Sequence, residues 1–270
     1  MRRVITLLTD FGLLDPYPAL MKGVILNINP EATIIDISHS IDKFNVKMGA
    51  FILAYAVNYF PESSIHVAVV DPGVGTARKP LIVKCSKGYL IGPDNGLLMP
   101  AAEKLGLKEA YEIDVDKVSI GCTSQTFHGR DVFAPAAARI SKGEMPDLLG
   151  KPYDGYVKLT LPAPKMLDKC ILGEVLYVNG FGNIITNVEE LTVKALNIKT
   201  GDLLLVETAH GSFRVKFVNS YGAVEPGSPL AIINSFRRLE LAVNLGDGSR
   251  FFQLKAGDSI NISIVNDISY

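Results

Sequence analysis

The stretch Ile65-His66-Val67-Ala68-Val69-Val70-Asp71-Pro72-Gly73-Val74-Gly75 joins an apolar run to an abrupt break. The run from Ile65 to Val70 has the length and composition of a buried strand. It stops at a carboxylate, a proline and two glycines, with Thr76-Ala77-Arg78 close behind. A buried strand that delivers a carboxylate to its carboxyl end is a common arrangement in α/β proteins, where ligands sit outside the strand ends. The glycines permit a sharp turn and a close ligand approach. A second dense stretch, Thr126-Phe127-His128-Gly129-Arg130-Asp131, supplies an imidazole.

Around that strand, residues 1–163 alternate strand and helix. Val4 to Leu8 reads as a short strand ending at Thr9-Asp10-Phe11-Gly12, Pro18 to Ile28 as a helix, and Thr33 to Ile37 as the next strand. Val46, Ala50, Leu53, Ala54 and Val57 fall on one helical face. After Val70 come a hairpin pattern, Leu81 to Val83 with Tyr89 to Ile91, and helical patterns over Leu97 to Leu105 and Val132 to Ile140. Such alternation predicts a mainly parallel sheet covered on both faces. The character changes at Lys158-Leu159-Thr160-Leu161-Pro162-Ala163-Pro164, whose prolines mark a linker. Short strand-like runs follow: Gly173 to Val178, Leu203 to Val206, Phe213 to Val218, Leu230 to Ile233, Leu239 to Val243 and Ile260 to Val265. Turn signals such as Gly246-Asp247-Gly248 separate them, the pattern of a small antiparallel barrel or sandwich. The expected architecture is an α/β domain over residues 1–163 and a β domain over 164–270.

The chain has 270 residues, enough for a sizeable core, and its 27 Lys and Arg nearly balance 28 Asp and Glu. That balance gives no electrostatic case for nucleic acid, which asks for a clustered basic surface. Cys85, Cys122 and Cys170 form no C-x-x-C, so neither a zinc site nor a disulfide framework is indicated, and they read as reduced packing residues. Met1-Arg2-Arg3 is basic, but the apolar run behind it breaks at Thr9-Asp10, too soon for a signal peptide. No run approaches the ~20 apolar residues of a membrane span. A cytoplasmic protein with no membrane or nucleic-acid partner is expected.

Asp10 and Asp71 both sit at predicted strand ends, where a parallel sheet could bring them to one crevice, while Asp36 lies within the strand between them. An ionised Asp only accepts hydrogen bonds, which suits the paired hydroxyls of a ribose. The local alternative is that Asp10 caps a turn and Asp71 begins one. Arg78 stays charged at any useful pH and can polarise water or fix a carboxylate bidentately. His128 can pass a proton near neutrality. A surface Arg78 and a turn-bonded His128 fit the local sequence as well. His39 and His66 are weaker candidates, and His210, between Ala209 and Gly211, suits an exposed turn. No G-x-G-x-x-G, G-x-x-x-x-G-K-[ST] or H-E-x-x-H occurs, and the histidines lack metal-ligand spacing, so no cofactor or metal is expected. Farther on, Asn179-Gly180-Phe181-Gly182-Asn183-Ile184-Ile185-Thr186-Asn187 offers amides that match a purine edge and a ring that can stack on its face. A plain Asn-Gly turn is the other reading. Asn234-Ser235-Phe236, followed by Leu239 to Asn244, repeats the polar-then-strand pattern.

Together these pieces resemble the S-adenosyl-L-methionine (SAM) hydroxide adenosyltransferase family, the adenosine-forming SAM hydrolases, whose halogenating relatives are the fluorinases and chlorinases. The matching motifs are Thr9-Asp10-Phe11-Gly12, Asp36-Ile37-Ser38-His39-Ser40, Val70 to Gly75, Gly92-Pro93-Asp94-Asn95-Gly96, Phe127 to Asp131, Asn179 to Asn183, and Asn234-Ser235-Phe236 through Asn244. Their number and order run almost end to end. The resemblance implies an N-terminal α/β domain, a C-terminal β-barrel, and a homotrimer with active sites between subunits. It implies that Asp71, Arg78 and His128 hold and activate an attacking water. Asp10 would bind the ribose hydroxyls, and Asp71, Asn183, Ser235, Glu240 and the Val243 backbone would complete the adenosine site. The implied reaction is cleavage of SAM to adenosine and L-methionine without a metal or cofactor, in some members selectively on the (R)-sulfonium epimer. Two competitors define the boundaries of this reading. A halogenase on this scaffold would not keep the Asp and His of the triad, and those relatives carry a Trp where Phe44 stands; this chain has no Trp. A non-catalytic nucleoside- or SAM-binding protein would keep Asp10 and Asn183 but has no reason to keep all three of Asp71, Arg78 and His128.

Overall fold

Runs of β-branched residues become the first strands: Val4–Thr9 (β1), Thr33–Ser38 (β2) and Ser64–Val69 (β3), the last buried along its whole length. The computed structural model describes residues 3–121 and 123–265, and the chain divides into two units, Met1–Leu161 and Pro162–Tyr270. Helix Tyr17–Ile28 (α1) has a proline in its first turn and buries Met21 and Ile25. Helix Val46–Ala56 (α2) is capped by the Asn45 side chain, which accepts from Met48 N at 3.0 Å. The hairpin Pro80–Cys85 (β4) and Gly88–Pro93 (β5), helix Met99–Leu105 (α3), strand Leu107–Ile113 (β6), the short helix Val115–Val118 (α4), helix Ala134–Ser141 (α5), the short helix Pro146–Leu149 (α6) and strand Gly150–Pro152 (β7) complete the unit.

Its sheet has the order β2-β1-β3-β5-β4-β6-β7. Pairs β1–β2, β1–β3 and β3–β5 are parallel, whereas β4–β5, β4–β6 and β6–β7 are antiparallel. The expected parallel pairing thus runs from the β2 edge to β5, and β4, β6 and β7 continue the sheet with antiparallel pairings. Ile5, Leu7, Ile65, Val67 and Val69 join α1 and α5 residues in one core. Strand β6 escapes sequence reading because Lys108, Glu109 and Glu112 interrupt its apolar residues. Two of those charges are met across the sheet, in pairs Lys84–Glu109 (2.9 Å) and Lys79–Glu112 (2.7 Å).

The second unit contains strands Lys165–Leu167 (β8), Cys170–Val178 (β9), Ile184–Glu189 (β10), Leu203–Thr208 (β11), Gly211–Val218 (β12), Pro229–Ile233 (β13), Arg238–Val243 (β14) and Ser259–Ile264 (β15), with short helices Glu190–Ala195 (α7) and Gly248–Phe252 (α8). The order β10-β14-β13-β12-β11-β15-β9 closes through a β10–β9 pairing, which makes a barrel, and β8 hangs on β9. Every pairing is antiparallel except β12–β13. That exception requires a crossover, residues 219–228, which carries Tyr221. Strand β10 is disguised by its polar residues. Thr186 Oγ1 donates to Leu239 O at 2.7 Å and Asn187 Oδ1 accepts from Glu174 N at 2.8 Å, so both are buried at little cost. Among the described residues, no helix is long and apolar enough to cross a membrane. Cys85 and Cys170 are free thiols, and Cys122 lies outside the described residues.

Candidate active site

Strand order reverses between β1 and β3: the chain leaves β1 for β2 on one side and returns to β3 on the other. The crevice beyond the carboxyl ends of such a pair is where open α/β sheets bind ligands. Asp10 follows β1 and Asp71 ends the run through β3. A cavity of about 320 Å³ opens there, lined by Asp10, Phe44, Asp71, Thr126, Phe127 and His128. The sequence therefore brings the two strand-end carboxylates and the imidazole into one cavity.

Arg78 joins Asp71 to His128. Its Nε donates to Asp71 Oδ1 at 3.0 Å and its Nη2 to Asp71 Oδ2, a bidentate clamp on a carboxylate that is almost fully buried. The same Nη2 lies 2.9 Å from His128 Nδ1. Guanidinium can only donate, so His128 Nδ1 accepts and a neutral ring carries its proton on Nε2. Burial, and then the Arg78 charge, lowers the His128 pKa below its ordinary 6.5 against the pull of Asp71 and Asp131. The guanidinium rests over the Phe133 ring, 5.3 Å from its centroid, and its Nη1 is buried without a hydrogen-bond partner.

Local sequence explains this convergence. The turn after Asp71 is closed by Val74 N to Asp71 O (3.3 Å) and Thr76 Oγ1 to Gly73 O (2.7 Å), which returns Arg78 to its partner. Gly75 has φ +76°, and a Cβ there would lie 2.6 Å from Gln125 O, so glycine lets this turn meet the loop that carries His128. Asn95 Nδ2 donates to Val70 O at 2.8 Å and steadies the residue before Asp71. His128 precedes a π-helical turn, Gly129–Phe133. Single π turns are frequent at functional sites because they re-aim side chains. Asp131 closes the approach by accepting Ser124 N at 2.8 Å.

Asp10 Oδ2 accepts the Phe44 backbone N–H at 2.9 Å, with Phe44 in a left-handed conformation at φ +65°. Burial raises the Asp10 pKa; the Phe44 N–H opposes that shift and the nearby Asp71 charge adds to it.

The barrel holds a second cavity, about 720 Å³, whose lining includes Asn183, Ser235, Glu240 and Val243, the residues that the family resemblance groups together, and also Tyr177 and Tyr221. Such volumes suit a small-molecule site. Glu240 is 2% exposed, and each of its oxygens accepts one hydrogen bond: Oε1 from Tyr221 OH at 2.6 Å and Oε2 from Asn234 Nδ2 at 3.0 Å, which leaves a lone pair on each. Asn179 Oδ1 accepts from Phe181 N (2.9 Å) and Asn183 N (3.0 Å), a tight turn that leaves the Phe181 ring 82% exposed at the cavity wall. Burial and then Glu240 push the Tyr221 hydroxyl up to about 12, so it remains a donor. Tyr177 and Tyr221 were not legible as site residues. The only local hint is a tyrosine among turn formers in Asn219-Ser220-Tyr221-Gly222. His66 is a buried strand residue bonded to Thr6 at 2.8 Å, its pKa lowered to about 4 by burial, and His210 is exposed in a turn. Among the described residues, no cluster of three or more His, Cys, Asp or Glu side chains has the makings of a metal site.

The chain is similar to known proteins along most of its length. The SAM hydroxide adenosyltransferase N-terminal domain matches residues 5–150 and its C-terminal domain residues 173–261. The chain therefore belongs to the SAM hydroxide adenosyltransferase family, a family of enzymes. It is 39% identical to an (R)-S-adenosyl-L-methionine hydrolase of Methanocaldococcus jannaschii, over 96% of this chain and 95% of that protein. It is 27% identical to a fluorinase of an Actinoplanes species, over 96% of this chain and 97% of the fluorinase. A crystal structure of an uncharacterized conserved protein from Thermotoga maritima superposes with a TM-score of 0.89 at 38% identity, covering 96% of this chain and 99% of that one.

Proposed function

We propose that this protein hydrolyses S-adenosyl-L-methionine to adenosine and L-methionine, with the (R)-sulfonium epimer as its preferred substrate. The observation that carries this reading is the hydrogen-bonded set Asp71–Arg78–His128 beside Asp10 in the switch-point crevice. Similarity to proteins named (R)-SAM hydrolases supports the epimer preference.

SAM is a sulfonium, so its 5′-carbon already bears a good neutral leaving group, and the chemistry asks for no Lewis acid. What the protein must supply is position. Holding a water in line with the C5′–S bond converts a bimolecular encounter into an effectively unimolecular one, with effective molarities of ~10⁵ M or more available. Asp71 and His128 line the cavity and bind that water. His128 presents Nε2–H as a donor, Asp71 is an acceptor, and the Arg78 charge favours hydroxide character in the oxygen between them. The C5′–O bond forms as the C5′–S bond breaks, the electron pair leaves on methionine sulfur, and the surplus proton departs through the triad. Asp10 accepts the ribose hydroxyls, Asp71 touches the same sugar, and Asn183, Ser235, Glu240 and Val243 hold the adenine end. By family resemblance, the working form is a homotrimer with sites between subunits, and the free thiols Cys85 and Cys170 suit a cytoplasmic protein.

Substitution separates these roles. Arg78→Ala and His128→Ala each lower turnover ~10²-fold or more with small effects on adenosine affinity measured by calorimetry, and Asp71→Ala, which also loses a contact to the sugar, lowers turnover by more than it lowers adenosine affinity. Equal losses of turnover and adenosine binding in all three variants would contradict the assignment.

A further inference from the structure

The segment Asp36-Ile37-Ser38-His39-Ser40 lines neither cavity, yet it is tied to the loop that carries Asp10. Lys22 Nζ on α1 donates to Asp36 Oδ2 at 2.6 Å, and Asp36 Oδ1 lies 3.1 Å from His39 Nε2, an ion-pair distance that falls outside hydrogen-bond geometry. His39 Nδ1 is 2.8 Å from Thr9 Oγ1, and Thr9 Oγ1 accepts the Phe11 backbone N–H at 3.3 Å. Two backbone bonds run alongside, Gly12 N to His39 O at 2.7 Å and Ile41 N to Thr9 O at 3.3 Å. A register irregularity at Leu7/Leu8 against β2 brings the two strand ends into this relation.

The neighbouring groups favour one direction for these protons. The carboxylate only accepts, so His39 carries its proton on Nε2. Nδ1 then accepts the Thr9 hydroxyl, and the Thr9 lone pair is left for Phe11 N–H. Thr9 is fully buried and His39 is 4% exposed, so water does not compete. The chain ends on the Phe11 N–H, and the His39 carbonyl takes the Gly12 N–H, so the two peptides that follow Asp10 are both held. That residue needs such support, because its carboxylate is partly buried and faces the like charge of Asp71.

We propose that His39, braced by Asp36 and acting through Thr9, is a positioning residue that holds the Asp10 carboxylate in the crevice for the two ribose hydroxyls. This rests on the assignment of Asp10 as the ribose acceptor given above. The test compares adenosine with 2′,3′-dideoxyadenosine, by calorimetry on the full-length protein. Thr9→Val removes both hydroxyl roles at nearly constant volume. It lowers adenosine affinity about tenfold and leaves dideoxyadenosine affinity unchanged, whereas Thr9→Ser restores adenosine to within about threefold. Asp36→Asn, on a partly exposed edge strand, moves adenosine alone in the same direction and carries the test if Thr9→Val does not fold. Equal losses for both nucleosides, or no loss for either, would overturn the positioning role. Asp10→Ala reports on the underlying assignment separately: if it keeps the preference for adenosine over dideoxyadenosine, the ribose assignment fails, whatever Thr9→Val does.

Discussion

Because Arg78 can only donate, the imidazole of His128 is neutral when it meets that guanidinium, and its pKa lies below 6.5. A depressed histidine favours the neutral form in the fold. Its stability contribution is full above pH 6.5 and is lost as pH falls from there to the folded value. Turnover that needs neutral His128 should persist below pH 6.5, and proton NMR of the His128 ring should titrate there too. Removing Arg78 should move that titration upward; a midpoint at or above 6.5 in the parent protein would contradict the tautomer assigned here. Asp10 carries the opposite sign. Its raised pKa means that stability is lost as pH rises from 3.8 through the folded value. Asp10→Asn removes the buried charge and its repulsion with Asp71, and the amide oxygen still accepts the Phe44 N–H. This variant should melt higher than the parent in a thermal scan while binding adenosine at least about tenfold more weakly, a trade of stability for function. Asp10, Asp71 and His128 were legible because strand ends and a dense polar stretch mark them. The companion tyrosines were not, because Tyr177 lies inside a strand and Tyr221 on a crossover whose course only the barrel closure determines.

At the scale of elements, the turn after Asp71 and the loop that carries His128 interlock. Gly75 at φ +76° and the 2.6 Å approach of a Cβ to Gln125 O leave no room for a side chain. Gly75→Ala should destabilise the protein by roughly 1–3 kcal/mol and displace His128, lowering kcat more than adenosine affinity. A urea melt with steady-state kinetics reads both, and an unchanged kcat would show that the two turns are independent. The strand-to-helix alternation of the first unit was legible from periodicity, since β1, β3 and α2 each bury one continuous set of side chains. Strands β6 and β10 were not. Their polar residues are balanced by partners far away in sequence, Lys84 for Glu109 and Leu239 for Thr186, and sequence alone cannot pair them.

At the scale of the molecule, the residues of the proposed chemistry fall into two sets: Asp10, Asp71, Arg78 and His128 in the first unit, and Asn183, Ser235, Glu240 and Val243 in the barrel. With the homotrimer proposed above, light scattering should report a species three times the 29.2 kDa chain, and dilution to monomer should abolish turnover. Full activity in a monomer would remove the between-subunit site from the account. In the proposed reaction water is the nucleophile at the 5′-carbon. The direct measurement is mass spectrometry of the products formed from mixed SAM epimers in ¹⁸O-labelled water. Hydrolysis at C5′ places the label on the 5′-oxygen of adenosine and leaves methionine unlabelled, with the (R)-epimer consumed first. Both epimers left intact, or a 5′-halogenated nucleoside appearing when halide is added, would contradict it.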